Sequence, residues 1–183
     1  MGFGGAPAGL RNYLEQQDPK VEVGRQGVID AVLRAVELGL TYFDTAAGYG
    51  NGEGEAIFSE ALSQIENRVF LATKLLPSTQ DAGRSVANNL ERLRMDNLDL
   101  IQIHGSSYSD EVTPSILSEG GLLAELEALR DEGLVRFNGF TTEDNNAGVY
   151  KFIRSGRFDS VQMTYNLLHQ HPAEQTRPFG SMF

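Results

Sequence analysis

Apolar residues in the segment GVIDAVLRAVELG recur at helical spacing and place Val28, Ala31, Val32, Ala35 and Val36 on one face. Gly39 stands where such a helix is expected to stop. The next apolar run, LTYFDT, is short and reads as a strand. The alternation then repeats along the chain. EAIFSEALSQI predicts a helix and RVFLATK a strand. AGRSVANNLERLRM predicts a helix with Val86, Leu90 and Leu93 aligned, and LDLIQIH a strand. LLAELEALRDEG predicts a helix ending at Gly133, VRFNGFTT a strand, NAGVYKFIRSG a helix and FDSVQMTY a strand. The opening GFGG reads as the end of one further strand. Strands and helices alternate throughout, a pattern that predicts a parallel sheet with right-handed crossovers.

The connections are asymmetric. Helix-to-strand links are short, as at Gly39–Thr41, Met95–Leu98 and Gly133–Val135. Strand-to-helix links are longer and more polar, as in HGSSYSDEVTPSILSEGG. The carboxyl ends of parallel strands are where α/β folds place their chemistry. No compositional break divides the chain, so residues 1–183 are expected to form a single domain. The pattern supplies six strands and five helices, whereas a closed eight-stranded barrel typically takes about 250 residues. The expectation is therefore an open sheet or an incomplete barrel.

Composition narrows the partners. The 183 residues suffice for one hydrophobic core, and 40% hydrophobic with 22% charged residues is ordinary for a globular chain. A net charge of -10 argues against nucleic acid as a partner, while leaving room for a nucleotide at a local positive site. Without cysteine there is no disulfide framework and no thiolate metal site, and no metal is expected. No apolar run approaches the roughly 20 residues of a membrane span. With no signal sequence read at Met1, the expected location is cytoplasmic.

The stretch YFDTAAGYGNGEGE carries Gly48, Gly50, Gly52 and Gly54 at every second position, just after Asp44. It matches neither the G-x-G-x-x-G dinucleotide fingerprint nor a P-loop. Glu53 and Glu55 would repel a pyrophosphate and suit a helix N-terminus instead. The glycines are thus expected to shape a turn that presents side chains. The strand ends supply those side chains: Asp44 with Tyr49 beyond it, Lys74, His104, Thr141 and Thr142, then Gln162 and Asn166. Each has an ordinary structural reading on its own, but parallel strands bring their ends to one mouth. A tyrosine hydroxyl, with a pKa of about 10, is a poor acid near neutrality. A neighbouring ammonium such as Lys74 favours the phenolate, and Asp44 can balance a buried lysine. His104 can orient a substrate oxygen by hydrogen bonding. Such a set suits proton donation to a carbonyl that is being reduced by hydride.

YFDTAAGYG, FLATK, LDLIQIH, GLVRFNGFTTED and FDSVQMTYN, in this order and spacing, resemble successive barrel-strand signatures of the aldo/keto reductase family, over nearly the whole chain. The resemblance implies a (β/α)8 TIM-barrel oxidoreductase that reduces a small aldehyde or ketone with NADP(H), NAD(H) being the alternative. It implies a catalytic set of Asp44, Tyr49, Lys74 and His104, with Tyr49 as proton donor. It also implies cofactor contacts at Gly4, Gly5, Asp44, Thr141, Thr142 and Gln162, although many members have Ser and Asn where Thr141 and Thr142 stand. Against that family pattern, a hairpin before the first strand and the seventh and eighth strands are expected to be missing. The tail containing Pro172 and Pro178 is expected to be irregular. The sheet edges so exposed would favour self-association. Two other readings stay open: a shortened, non-catalytic remnant serving in interaction, and a barrel enzyme using Lys74 as a Schiff-base nucleophile.

Overall fold

The computed structural model describes residues 1–12, 18–143 and 146–173. Its six strands are β1 (Gly2–Gly4), β2 (Tyr42–Asp44), β3 (Phe70–Leu75), β4 (Leu98–Ile103), β5 (Val135–Thr142) and β6 (Ser160–Met163). They lie side by side in chain order within one sheet. The helices are α1 (Ala6–Gly9), α2 (Glu22–Glu37), α3 (Glu53–Leu62), α4 (Ala82–Leu93), α5 (Val112–Leu117), α6 (Leu122–Asp131) and α7 (Ala147–Ser155). The residues group into two compact units. One comprises Met1–Leu75 with Arg84–Leu100, the other Leu76–Gly83 with the chain from Ile101 onward.

In the first unit β1, β2 and β3 run parallel, with Gly4, Asp44 and Ala72 in register. From Leu71 to Leu75 every residue of β3 is buried, the mark of a strand covered on both faces. Phe43, fully buried, lies 5.8 Å from the Phe3 ring and meets Phe58 of α3 edge-on at 6.2 Å. Val28, Ile29, Val32 and Ala35 form the buried stripe of α2. The expected face is thereby rotated: Ala31 is exposed and Ile29 takes its place in the core, because the larger side chain removes more apolar area from water.

In the second unit β5 pairs parallel with β6, Thr141 standing opposite Gln162. Phe140 packs edge-on against Tyr108, Phe152 and Phe158, with ring centroids 6.0, 5.2 and 5.0 Å apart. Leu122, Leu123, Leu126 and Leu129 bury the inner face of α6. The Asn146 side chain caps α7 by accepting from the Val149 amide at 3.1 Å.

Three elements depart from the sequence expectation. The helix before β2 begins earlier, at Glu22. Two short helices, α1 and α5, occupy segments to which the sequence pattern assigned no element. Pro114 stands in the first turn of α5, where a missing N–H leaves no hydrogen bond unmade. Pro172 lies in a single 3₁₀ turn, His171–Ala173, while Pro178 falls outside the described residues.

Candidate active site

Asp44 is the last residue of β2, and Lys74 comes from the matching end of β3. Both are buried, at 6% and 2% exposure. The Lys74 ammonium donates to Asp44 Oδ1 and, at 2.8 Å, to the Thr45 carbonyl. Lys74 Nζ also lies 5.2 Å from the centre of the half-buried Tyr49 ring. The three side chains named from the sequence in this unit are therefore brought together around one ammonium.

The electrostatics are those of a charge pair taken out of water. Burial pushes the Asp44 carboxyl up and the Lys74 ammonium down, and each partner's charge opposes the other's shift. The carboxylate is half satisfied: buried Oδ2 has no hydrogen-bond partner among the described residues, nor has the buried Thr45 hydroxyl. Gly5 lies against this pair, its amide donating to the Asp44 carbonyl at 2.7 Å. The Cβ position of Gly4 faces open space.

The turn that carries Tyr49 is held from below. Gly50 has a left-handed φ of +65°, and a Cβ there would stand 2.1 Å from the Gly9 carbonyl oxygen. Glycine is thus required at this point by both conformation and contact. The amide of Gly54 donates to the Tyr49 carbonyl at 3.1 Å, closing the turn onto the start of α3.

Glu55, assigned from sequence only to a helix N-terminus, is completely buried. Thr73 Oγ1 donates to its Oε1 at 2.6 Å and Arg92 Nε to its Oε2 at 2.5 Å. Arg92 in turn donates to Asn89 Oδ1 at 2.7 Å. The only sequence signal for this role was a charged residue three positions before the apolar Phe58, on a helix that also buries Ile57 and Ala61.

In the second unit His104 directly follows β4 and is half-buried. The two threonines anchor the backbone just beyond it. Thr141 Oγ1 accepts from the Gly105 amide at 3.1 Å and donates to the Gly105 carbonyl at 2.9 Å. Thr142 Oγ1 donates to the Ser106 carbonyl at 3.0 Å. Gln162 is exposed. Asn166 uses its side-chain oxygen within a turn, accepting from the amides of Leu168 and His169 at 2.9 and 3.1 Å. Tyr108 was not singled out from the sequence, yet its buried hydroxyl reaches the carbonyls of Ile103 and Thr141 at 3.0 and 2.9 Å.

A methylglyoxal reductase of Escherichia coli, YeaE, is 37% identical over 119 residues, covering 62% of this chain and 39% of that protein. An NADH-specific methylglyoxal reductase of the same organism is 26% identical over 179 residues, covering 86% of this chain and 53% of that protein. The chain thus spans about half the length of these curated relatives. Among solved structures, an aldo/keto reductase from Klebsiella pneumoniae in complex with NADP and acetate superposes with a TM-score of 0.70. It is 22% identical, and the match covers 95% of this chain and 55% of that one. The likeness establishes the α/β barrel fold, of which this chain holds six parallel strands. The model of the aldo/keto reductase family matches residues 1–181, and with the strand-end residues of β2 and β3 in place the chain belongs to that family.

Proposed function

We propose that the chain carries the proton-donating part of a nicotinamide-dependent reductase of small aldehydes and ketones, with Tyr49 as the proton donor. The observation that carries this reading is the Lys74 ammonium, fixed between the Asp44 carboxylate and the Tyr49 ring in a buried setting. A cation beside a phenol stabilises the phenolate that remains after the proton leaves. Asp44 holds that cation in place. His104, at the end of the next strand, is assigned to orient the substrate oxygen.

The residues of the first unit fit a dinucleotide at its nicotinamide side. Buried Asp44 Oδ2 can accept a hydrogen bond from a sugar hydroxyl, and the open space at Gly4 admits a ligand beside the strand end. Of the other assigned residues, exposed Gln162 offers a free carboxamide face, while Thr141 and Thr142 would keep the His104 loop in position. When bound, a reduced nicotinamide supplies the hydride. Tyr49 gives the carbonyl oxygen its proton, Lys74 balances the phenolate, and the buried wall of β2 and β3 excludes water. The cofactor is assigned as NADP(H), supported by the NADP complex of the Klebsiella structure, with NAD(H) kept because one relative is described as NADH-specific. The names of the two relatives favour methylglyoxal, a small oxoaldehyde, as the first substrate to try.

The Schiff-base reading is weakened by the contacts of Lys74. The Asp44 carboxylate in contact with Lys74 favours its ammonium form, which has no lone pair with which to attack a carbonyl.

The test is NADPH- and NADH-dependent reduction of methylglyoxal by this chain, and by this chain fused to the complementary barrel segment of a relative. Tyr49→Phe should lower turnover by roughly 10²–10⁴, the usual worth of a positioned acid. Cofactor affinity should hardly change, since the hydroxyl is not assigned to binding. Turnover equal to the parent's would remove Tyr49 from the role.

A further inference from the structure

We propose that Glu55 is a positioning residue for Lys74: its carboxylate, locked to the preceding residue of β3 by Thr73 and to α4 by Arg92, is a second negative charge that holds the ammonium in its working form. The proposal rests on the reading of Lys74 as the cation that serves Tyr49.

Four observations carry it. Glu55 is completely buried, an expensive setting for a carboxylate without compensation. Its two oxygens have directional partners, Thr73 Oγ1 at 2.6 Å and Arg92 Nε at 2.5 Å. Thr73 is the chain neighbour of Lys74, so the charge is fixed to the same stretch of β3 as the lysine, on the opposite face because successive side chains alternate. From Leu71 to Leu75 the intervening strand is buried, so the field between the two groups is weakly screened. The electrostatic picture agrees: Glu55 draws the Lys74 ammonium up and Lys74 draws the Glu55 carboxyl down, while burial works against both charges. A single carboxylate facing Lys74 would have to oppose that burial alone. The charged and titratable groups acting on Lys74 within this unit are Asp44, Tyr49 and Glu55. Arg92 acts on it through Glu55, and Tyr42 through Asp44.

Arg92 gives the test a second sign. Its side chain is 32% exposed, whereas Glu55 is sealed. Replacing Glu55 by Gln removes negative charge near Lys74. Replacing Arg92 by Gln removes the positive charge that offsets Glu55, so the field on Lys74 becomes more negative.

The 183-residue chain has three lysines, Lys20, Lys74 and Lys151. With carbon-13 at the lysine ε position, their titrations separate by NMR. Lys20→Arg and Lys151→Arg assign the two exposed signals and leave the third to Lys74. Glu55→Gln should move the Lys74 midpoint down by about 0.5–1 pH unit, less than a directly contacting charge would. Arg92→Gln should move it up. Circular dichroism and thermal unfolding establish that each variant is folded. Should Glu55→Gln not fold, Arg92→Gln decides alone. A Lys74 midpoint that stays put in every folded variant, or that rises in Glu55→Gln, overturns the proposal, since a merely structural Glu55 would leave the titration where it was. The titration needs neither substrate nor cofactor. A shifted midpoint in a protein that reduces no carbonyl therefore removes the reductase reading and keeps the Glu55–Lys74 coupling. An unmoved midpoint with normal reduction does the reverse.

Discussion

Gly50→Ala is the sharpest test of the turn that carries Tyr49. The substitution does two separable things. It puts a Cβ on a backbone with φ of +65°, and it drives that Cβ to 2.1 Å from the Gly9 carbonyl oxygen. The conformational part is worth about 1–2 kcal/mol for an L-residue in the left-handed region. The contact cannot be relieved by a side-chain rotation, because the atom met is backbone. Forcing an extra methyl into a packed site typically costs about 1–3 kcal/mol more. Two other glycines isolate the parts. Gly39 has φ of +84° and no atom within 4 Å of its Cβ position, so Gly39→Ala bears the conformational part alone. Gly48 has neither a left-handed φ nor a neighbour within 4 Å, so Gly48→Ala should fall within about 0.5 kcal/mol of the parent. Urea denaturation of the three variants should rank them Gly48→Ala, Gly39→Ala, Gly50→Ala in order of increasing damage. In an active fusion, Gly50→Ala should also lose turnover, by about 10² for a displacement of Tyr49 on the order of 1 Å. If Gly50→Ala unfolds at the same urea concentration as Gly39→Ala, the contact with Gly9 contributes nothing and the account of the turn fails.

Asp44→Asn leaves Lys74 buried without a counter-charge in contact, and should destabilise the fold by about 3–5 kcal/mol near neutral pH, as breaking a buried pair does. Burial then holds the Lys74 midpoint still further below 10.5, so the unfolded chain binds more protons between the two values and the variant should regain stability as pH rises through that window. Guanidinium melts at neutral and alkaline pH would show it, and a deficit independent of pH would refute the pairing. Tyr42 is pushed up to about 12 by burial and by the Asp44 charge, so its stabilising contribution is complete below 10.0 and is lost as pH rises through about 12. A spectrophotometric titration should find two phenols ionising late, Tyr42 and Tyr108, both raised by burial, and Tyr42→Phe should remove one of the two.

Much of the fold was legible because each strand is a short apolar run and each long helix a periodic one. Asp44, Lys74 and His104 could be named because a polar residue ending an apolar strand is conspicuous. What stayed hidden depends on distant parts of the chain. Glu55 reads as a solvated helix start until Arg92, 37 residues on, is seen to reach it. Gly50 reads as one more flexible glycine until Gly9 is found beneath it. Thr141 and Thr142 read as ligand contacts, and that their hydroxyls also donate to the Gly105 and Ser106 carbonyls is revealed only by the pairing of loop and strand. The α5 helix escaped notice because VTPSIL has no periodicity long enough to register.

The clasp around Tyr108 sets out where this protein can be re-engineered. The loop leaving β4 is fastened at its root: to Thr141 and Thr142 through Gly105 and Ser106, to the Ile103 and Thr141 carbonyls through the Tyr108 hydroxyl, and to Asn146 through Ser107 and the Tyr108 carbonyl. Farther out, Ser118, Glu119 and Gly120 are exposed. A foreign sequence grafted at this tip would be carried by α5, whose Thr113 and Ile116 are buried, without pulling on the residues next to His104. The loop is thus a cassette with a fixed hinge-plate and a replaceable end, and inserted segments belong between Ser118 and Gly120.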